Sequence, residues 1–304
     1  MTDSDLTGQT VLVTGGAGFV GSHLAESLTD AAEVRVLDDL SNGDAADVPA
    51  HARLIEGDVR DRATVREAMD GADVVFHEAA MVSVPASVEA PMDCHGVNGT
   101  ATLQLLDVAR QTDSRVVLAS SAAIYGHPES VPVPESAPKR PASPYGVEKL
   151  TNDEYARVYA EQYELETVAL RYFNIYGPRQ TGQYSGVISV FLDQARAGDP
   201  ITVEGEGDQT RDFVHVDDVV AANRLAATTA EPGSAYNVGT GSSVTVRELA
   251  EIVRDVVGAD VPIEHVDPRP NDIQRSCADV SKARDELGFE PTVSLRDGLA
   301  TTIA

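Results

Sequence analysis

The sequence predicts an α/β protein: a doubly wound parallel sheet over residues 1–173, then a smaller mixed α/β region over 174–304, interleaved with the first. Three observations carry this. The apolar run Gln9-Thr10-Val11-Leu12-Val13 leads into a glycine-rich turn within Thr14 to His23, and Leu24, Ala25 and Leu28 then open a helical pattern. Strand-like and helix-like segments alternate as far as Tyr172, and alternating βαβα favours a parallel sheet with helices on both faces. Past Phe173 the rhythm breaks into short strands and helices between Gly- and Pro-containing turns.

Each element of the first region has its own signal. The β-branched residues before the glycine turn suit a buried strand. Glu33 to Asp38, Arg53 to Glu56, Asp73 to His77 and Arg115 to Ala119 are four more apolar runs of strand length. Asp61 to Met69 has helical spacing, and Ser87 to Arg110 holds a long helix carrying Leu103, Leu105, Leu106 and Val108. Six prolines between Pro128 and Pro144 make that stretch a loop. A helix from about Tyr145 to Tyr163 precedes a sixth strand, Glu166 to Tyr172. In the second region Gly186 to Ala197 and Val244 to Val257 are expected as helices, Ile201 to Val203 and Phe213 to Val216 as extended chain.

Composition narrows the function classes. The chain has 304 residues, 49 acids against 23 bases, and a net charge of −26. Only Lys139, Lys149 and Lys282 are lysines. Such a surface repels nucleic acid and anionic membranes, so neither is expected as a partner. Acidic excess with lysine depletion points to a halophile, in whose cytoplasm a Debye length of about 3 Å at molar salt screens like charges. No stretch is long and apolar enough to span a membrane, and the polar Met1 to Thr10 gives no signal peptide, so a cytoplasmic location is expected. Cys94 and Cys277 are expected as free thiols, and no Cys/His cluster has metal-ligand spacing.

Gly16, Gly18 and Gly21 spell G-x-G-x-x-G, and Gly15, Gly18 and Gly21 spell an overlapping G-x-x-G-x-x-G. Between a strand and a helix this pattern points to a dinucleotide-binding turn, with an ordinary βα turn as the alternative: glycines allow the tight bend and close approach of a pyrophosphate, and the helix N-terminus offers free N–H groups. Asp38, 17 residues beyond Gly21 at the end of the second strand, can accept hydrogen bonds from ribose hydroxyls and would repel a 2′-phosphate, which favours NAD over NADP. Gly57-Asp58-Val59 ends the third strand and can cover the adenine. Tyr145 and Lys149 stand four residues apart on one helix face, where an ammonium favours the phenolate and makes Tyr145 a base near neutral pH. Ser120-Ser121 ends the fifth strand at the crevice, and a hydroxyl there completes a Ser-Tyr-Lys set.

On these residues the chain resembles the extended short-chain dehydrogenase/reductases, specifically the NAD-dependent sugar-nucleotide epimerase/dehydratase family and its UDP-glucose 4-epimerase subgroup. The resemblance runs from Thr14–Gly21 through Asp38-Asp39-Leu40-Ser41-Asn42-Gly43, Gly57-Asp58-Val59 and His77-Glu78-Ala79-Ala80. It continues through Ser120–Gly126, Pro144–Lys149, Leu170–Gln180, Gln209–Val214 and Arg269-Pro270-Asn271-Asp272.

The resemblance implies that Tyr145 is the base, Lys149 binds the nicotinamide ribose and tunes it, and Ser121 binds the sugar 4-oxygen. It implies NAD against Gly15, Gly18, Phe19, Val20, Asp38, Asp39, Asn42, Asp58, Val59, Ala79, Ala80, Asn98 and Tyr172. It puts Asn174, Arg211 and Arg269 on the nucleotide diphosphate, with Val187, Asp272 and Ser276 on the substrate side; a small Ser276 leaves room for an acetamido group at sugar C2. Three departures matter. Ala122-Ala123 stands where the dehydratases carry Asp-Glu, which argues against elimination. Ala101 replaces a usual glycine, and Glu78 stands where an apolar residue is common. The implied function is an NAD-dependent UDP-hexose 4-epimerase (UDP-glucose/UDP-galactose, with N-acetylated forms open), working as a homodimer built from the helices within 87–110 and 145–163. UDP-glucuronate 4-epimerase, net sugar-nucleotide reductase and a non-catalytic NAD-sensing module are the alternatives.

Overall fold

The computed structural model describes residues 6–180, 186–269 and 272–303. Six strands arise in order in the first region: β1 (Thr10–Thr14), β2 (Glu33–Asp38), β3 (Ala52–Glu56), β4 (Val74–His77), β5 (Arg115–Ser121) and β6 (Thr167–Tyr172). The second region contributes β7 (Asn174–Tyr176), β8 (Ile201–Glu204), β9 (Thr210–Arg211), β10 (Phe213–His215), β11 (Ser234–Val238), β12 (Val244–Thr245) and β13 (Ile263–Val266). The central sheet has the order β11-β6-β5-β4-β1-β2-β3, with every pairing parallel.

Alternation along the strands divides the core. Val11 and Val13 of β1 pack with Leu24, Leu28, Val219 and Ala226 on one face, and Leu12 packs with Val65, Leu105 and Ala156 on the other. Helices α1 (Phe19–Ser27) and α8 (Val216–Thr228) cover the first face. Helices α2 (Arg62–Ala68), α5 (Ala101–Thr112) and α6 (Pro144–Tyr163) cover the second. A separate core, with Ile188, Phe191, Val203, Leu249 and Leu299, holds α7 (Val187–Ala197), α9 (Val246–Val257) and α10 (Leu295–Ile303) together.

Two differences from the sequence expectation have clear causes. The long helix of 87–110 is divided: α3 (Val84–Glu89) and α4 (Pro91–Cys94) precede a wider π turn, His95–Thr100, and then α5. Pro91 has no N–H to continue α3 and takes the first position of α4, where none is needed. The extended stretch ends at His215, not Val216, because the His215 ring accepts the Asp217 N–H and caps α8. After leaving the sheet at Phe173, the chain comes back through α8 to β11, which forms the sheet's seventh strand beside β6. Cys94 and Cys277 are both free and buried.

Candidate active site

The candidate site residues of the first region gather at the carboxyl ends of the parallel strands β1 to β6. The glycine turn is built against the loop after β4. Gly15 has φ +69°, and a Cβ there would lie 2.6 Å from the Ala79 nitrogen. Gly21 meets Gly15 backbone so closely that a Cβ would collide with its carbonyl. A Cβ on Gly18 would meet only the Gly15 carbonyl, at 3.2 Å, so the turn is open on that side. α1 starts at Phe19 with no side-chain cap and no acid in its first turn, although the chain carries 49 acids. Those N–H groups suit a pyrophosphate. Asp38, buried at the end of β2, accepts the Ala17 and Leu40 N–H groups at 2.9 Å each and so fixes the turn's approach to β2. Asp39 accepts the Ser41 N–H at 3.0 Å, and Asn42 lies exposed in the same loop. The carboxyl of Asp58 is held below its usual range by Arg60, and Val59 behind it is buried. Phe19, Val20, Ala79 and Ala80 are half-buried along this wall. The donor set and the open glycine fit a dinucleotide.

Asn98 lies against the loop after β4. It is 1 % exposed, and its amide accepts the Met81 N–H at 2.8 Å and donates to the Met81 carbonyl at 2.9 Å. It shapes the loop that carries Ala79 and Ala80.

The Ser-Tyr-Lys set converges. Ser121 ends β5 in extended conformation, with its Oγ accepting the Ala123 N–H at 3.2 Å. Tyr145 lies in the first turn of α6, which is started by Pro144 and capped by Ser143 on the Gly146 N–H. One turn later Lys149, 4 % exposed, sends its ammonium to the Ala119 carbonyl at 2.6 Å and 5.8 Å from the Tyr145 ring centre. Burial pushes the Tyr145 hydroxyl up to about 12, and a hydrogen bond with Ser121 opposes that only in part. The spacing argument made Tyr145 a base through Lys149 alone; desolvation of the phenolate is the larger effect in the protein by itself. Burial also lowers Lys149, against the pull of the Glu78 carboxylate.

Beside this set opens a cavity of about 270 Å³. Ser121, Tyr145, Tyr172, Asn174, Arg211 and Ser276 all line it, as do Ala122 and Ala123. Asn174 donates to the Asp212 carbonyl at 2.9 Å. Arg211 is clamped by Asp272 at 2.7 Å and by the Ile273 and Thr210 carbonyls, so its guanidinium is aimed by β9 and by the strand-like turn after Asp272. Arg269 is 65 % exposed and pairs with Glu204 at 2.8 Å, near enough to Arg211 for its charge to act there. Val187 opens α7 and packs against that region's core, off the cavity wall. Pro270 and Asn271 lie outside the described residues.

Three polar residues matter here that the sequence left without a role. Glu78 accepts the Tyr172 hydroxyl proton at 2.8 Å, and Asn223 of α8 donates to the same hydroxyl at 2.8 Å. Asp212, fully buried and with no cation paired to it among the described residues, accepts from the Thr240 N–H and hydroxyl and from the Gly241 and Ala278 N–H groups at 2.6–3.1 Å. It ties the Arg211 strand to the segment bearing Ser276. The Gln209–Val214 motif contained Asp212, but its partners lie 28 to 66 residues away, beyond any local signal.

The model of the NAD dependent epimerase/dehydratase family matches residues 11–239. A putative UDP-glucose 4-epimerase of Methanocaldococcus jannaschii is 36 % identical over 299 residues, covering 96 % of this chain and 97 % of that protein. Two solved structures superpose closely. The UDP-N-acetylglucosamine 4-epimerase of Methanobrevibacter ruminantium, in complex with UDP-N-acetylmuramic acid, has a TM-score of 0.94 at 36 % identity over 98 % of this chain and 97 % of that one. The UDP-glucose 4-epimerase of Thermus thermophilus, in complex with NAD, has a TM-score of 0.89 at 38 % identity, covering 97 % of both. With the glycine cradle, the Asp38 anchor and a match over nearly its whole length, the chain belongs to the NAD-dependent epimerase/dehydratase family, an enzyme family whose cofactor is NAD.

Proposed function

We propose that this enzyme is an isomerase that inverts C4 of UDP-hexoses. The observation that carries the reading is the cavity in which Ser121 and Tyr145 face Asn174, Arg211 and Ser276, while Ala122 and Ala123 occupy the adjoining wall. Neither alanine can protonate a leaving hydroxyl, so the wall serves oxidation and return at one carbon better than elimination. Bound NAD supplies the hydride acceptor and donor for that carbon. Tyr145 takes the proton of the C4 hydroxyl and later gives it back. Ser121 donates a hydrogen bond to the same oxygen as it becomes a carbonyl. Lys149 stands under Tyr145 as the charge that favours its phenolate. Asn174 and Arg211 hold the diphosphate while the hexose ring presents its other face, Arg211 with a fork suited to phosphate oxygens.

The cavity favours a neutral sugar over a uronate. Among the described lining residues Arg211 is the only cation, and Asp272 already engages it. Ser276 on the wall leaves room for a C2 acetamido group, so UDP-N-acetylglucosamine is included among the substrates. The exposed apolar side chains Val88, Met92 and Val147, on α3, α4 and α6, support a homodimer through these helices, Met92 being 77 % exposed. The acidic surface supports a salt-rich cytoplasm as its setting.

A panel of UDP-sugars with product stereochemistry followed by NMR tests the reading. UDP-glucose and UDP-galactose should interconvert with no net change in NADH. Net NADH consumption would make the protein a reductase, and binding without turnover would make it a sensor; either overturns the proposal.

A further inference from the structure

Glu78 follows His77, the last residue of β4, whose sheet partner on β5 is Leu118. β5 lies between β4 and β6. To accept the hydroxyl proton of Tyr172, at the end of β6, the Glu78 carboxylate must reach across the carboxyl end of β5. That is where the Lys149 ammonium is anchored, on the carbonyl of Ala119, the residue after Leu118. The Tyr172 hydroxyl is held from its other side by Asn223. Asn223, fully buried, uses its amide hydrogens on the Val219 carbonyl at 2.9 Å and the Tyr172 oxygen at 2.8 Å. The single hydrogen of Tyr172 has two acceptors within reach, Glu78 at 2.8 Å and the Asn223 amide oxygen at 3.1 Å, and Glu78 is the nearer.

We propose that Glu78 is the counter-charge of Lys149: its carboxylate, oriented by Tyr172 and Asn223, keeps the ammonium protonated in the dry crevice and thereby makes Glu78 a positioning residue for Tyr145. The surrounding groups leave this task to Glu78. Tyr145 and Tyr172 are both pushed up by burial and stay neutral, as does Cys94 behind Lys149. His77, bonded to Thr14 and Thr102, is pushed down to about 3 and carries no charge at neutral pH. Burial drives Lys149 down and Glu78 up; Lys149 is drawn back by Glu78, and Glu78 is drawn back by the Tyr172 hydrogen bond and then by Lys149. Removing the carboxylate charge leaves the ammonium with desolvation unopposed, so Lys149 loses its proton at lower pH.

Lysine scarcity makes the test direct. The chain labelled at lysine side chains gives three signals, from Lys139, Lys149 and Lys282, which an NMR titration of the NAD-loaded protein can follow separately. Glu78→Gln keeps the acceptor for Tyr172 and deletes the charge. It should lower the Lys149 midpoint by about one to three units, the effect of an opposite charge at close range, and leave Lys139 and Lys282 where they were as controls of folding. Glu78→Asp should restore most of the shift. An unmoved Lys149 midpoint in Glu78→Gln, or an aspartate variant indistinguishable from it, would overturn the proposal. The role for Tyr145 rests on the catalytic reading above and has its own readout: the alkaline limb of kcat should move to lower pH together with the Lys149 midpoint. A limb that stays while the midpoint moves removes Lys149 from tuning Tyr145 and leaves the charge pair intact.

Discussion

At the scale of single residues, the site rests on how far each side chain was legible locally. Tyr145 and Lys149 were, because helix spacing alone puts them on one face. Asp38 was, because a strand's last residue has a known address. Arg269 was less so: its motif is present, but its partner depends on where the chain after β13 runs, and that partner is Glu204. Two substitutions test the residues that do reach the cavity. Tyr145→Phe keeps the ring and removes the proton acceptor, so turnover should fall about 10²- to 10⁴-fold while NAD affinity, read by fluorescence titration, is retained. Near-normal turnover would remove Tyr145 from the chemistry. Ser276→Tyr fills the cavity wall, and overpacking of about 1–3 kcal/mol should shift the kcat/KM ratio against UDP-N-acetylglucosamine relative to UDP-glucose by about ten- to two-hundredfold. An unchanged ratio would place the selecting wall elsewhere.

At the scale of elements, the strands β1 to β6 were legible because each is a short apolar run bounded by turn residues, whereas α8 and β11 were not. α8 is rich in alanine and valine over Val216 to Thr228, with both its acids in the first turn, and its fit against α1 supplies what its periodicity lacks. β11 takes its place only by pairing with β6, a long-range choice with no local mark. The division of 87–110 was in principle legible at Pro91. The join between α6 and β6 has its own vulnerable point. Arg171 on β6 meets Asp153 on α6 at 2.5 Å, with both side chains at most 5 % exposed, and also donates to Tyr125. Asp153→Ala leaves a buried guanidinium without its counter-ion. It should cost about 3–5 kcal/mol in denaturant unfolding, far more than removal of an exposed pair such as Arg140–Glu129. Equal losses from the two would show that the buried pair is solvated.

At the scale of the whole molecule, charge governs. With 49 carboxylates against 23 bases, repulsion grows as the Debye length lengthens from about 3 Å at 1 M salt to about 30 Å at 0.01 M. The melting temperature should therefore rise steeply with potassium chloride, and light scattering in high salt should give a dimer's mass. A melting temperature indifferent to salt, or a fully active monomer, would contradict these expectations in turn.

The return of the chain to lay β11 against β6 has a consequence for dissection of the enzyme. A fragment ending at Phe173 would bare the hydrogen-bonding edge of β6, lose the α8 cover over β5 and β6, and take Tyr172 away from Asn223. The sheet that cradles the dinucleotide is thus completed by the chain beyond Phe173. Recombination between relatives at this midpoint would exchange neither half cleanly, and chimaeras that stay soluble should be those whose crossovers lie after β11.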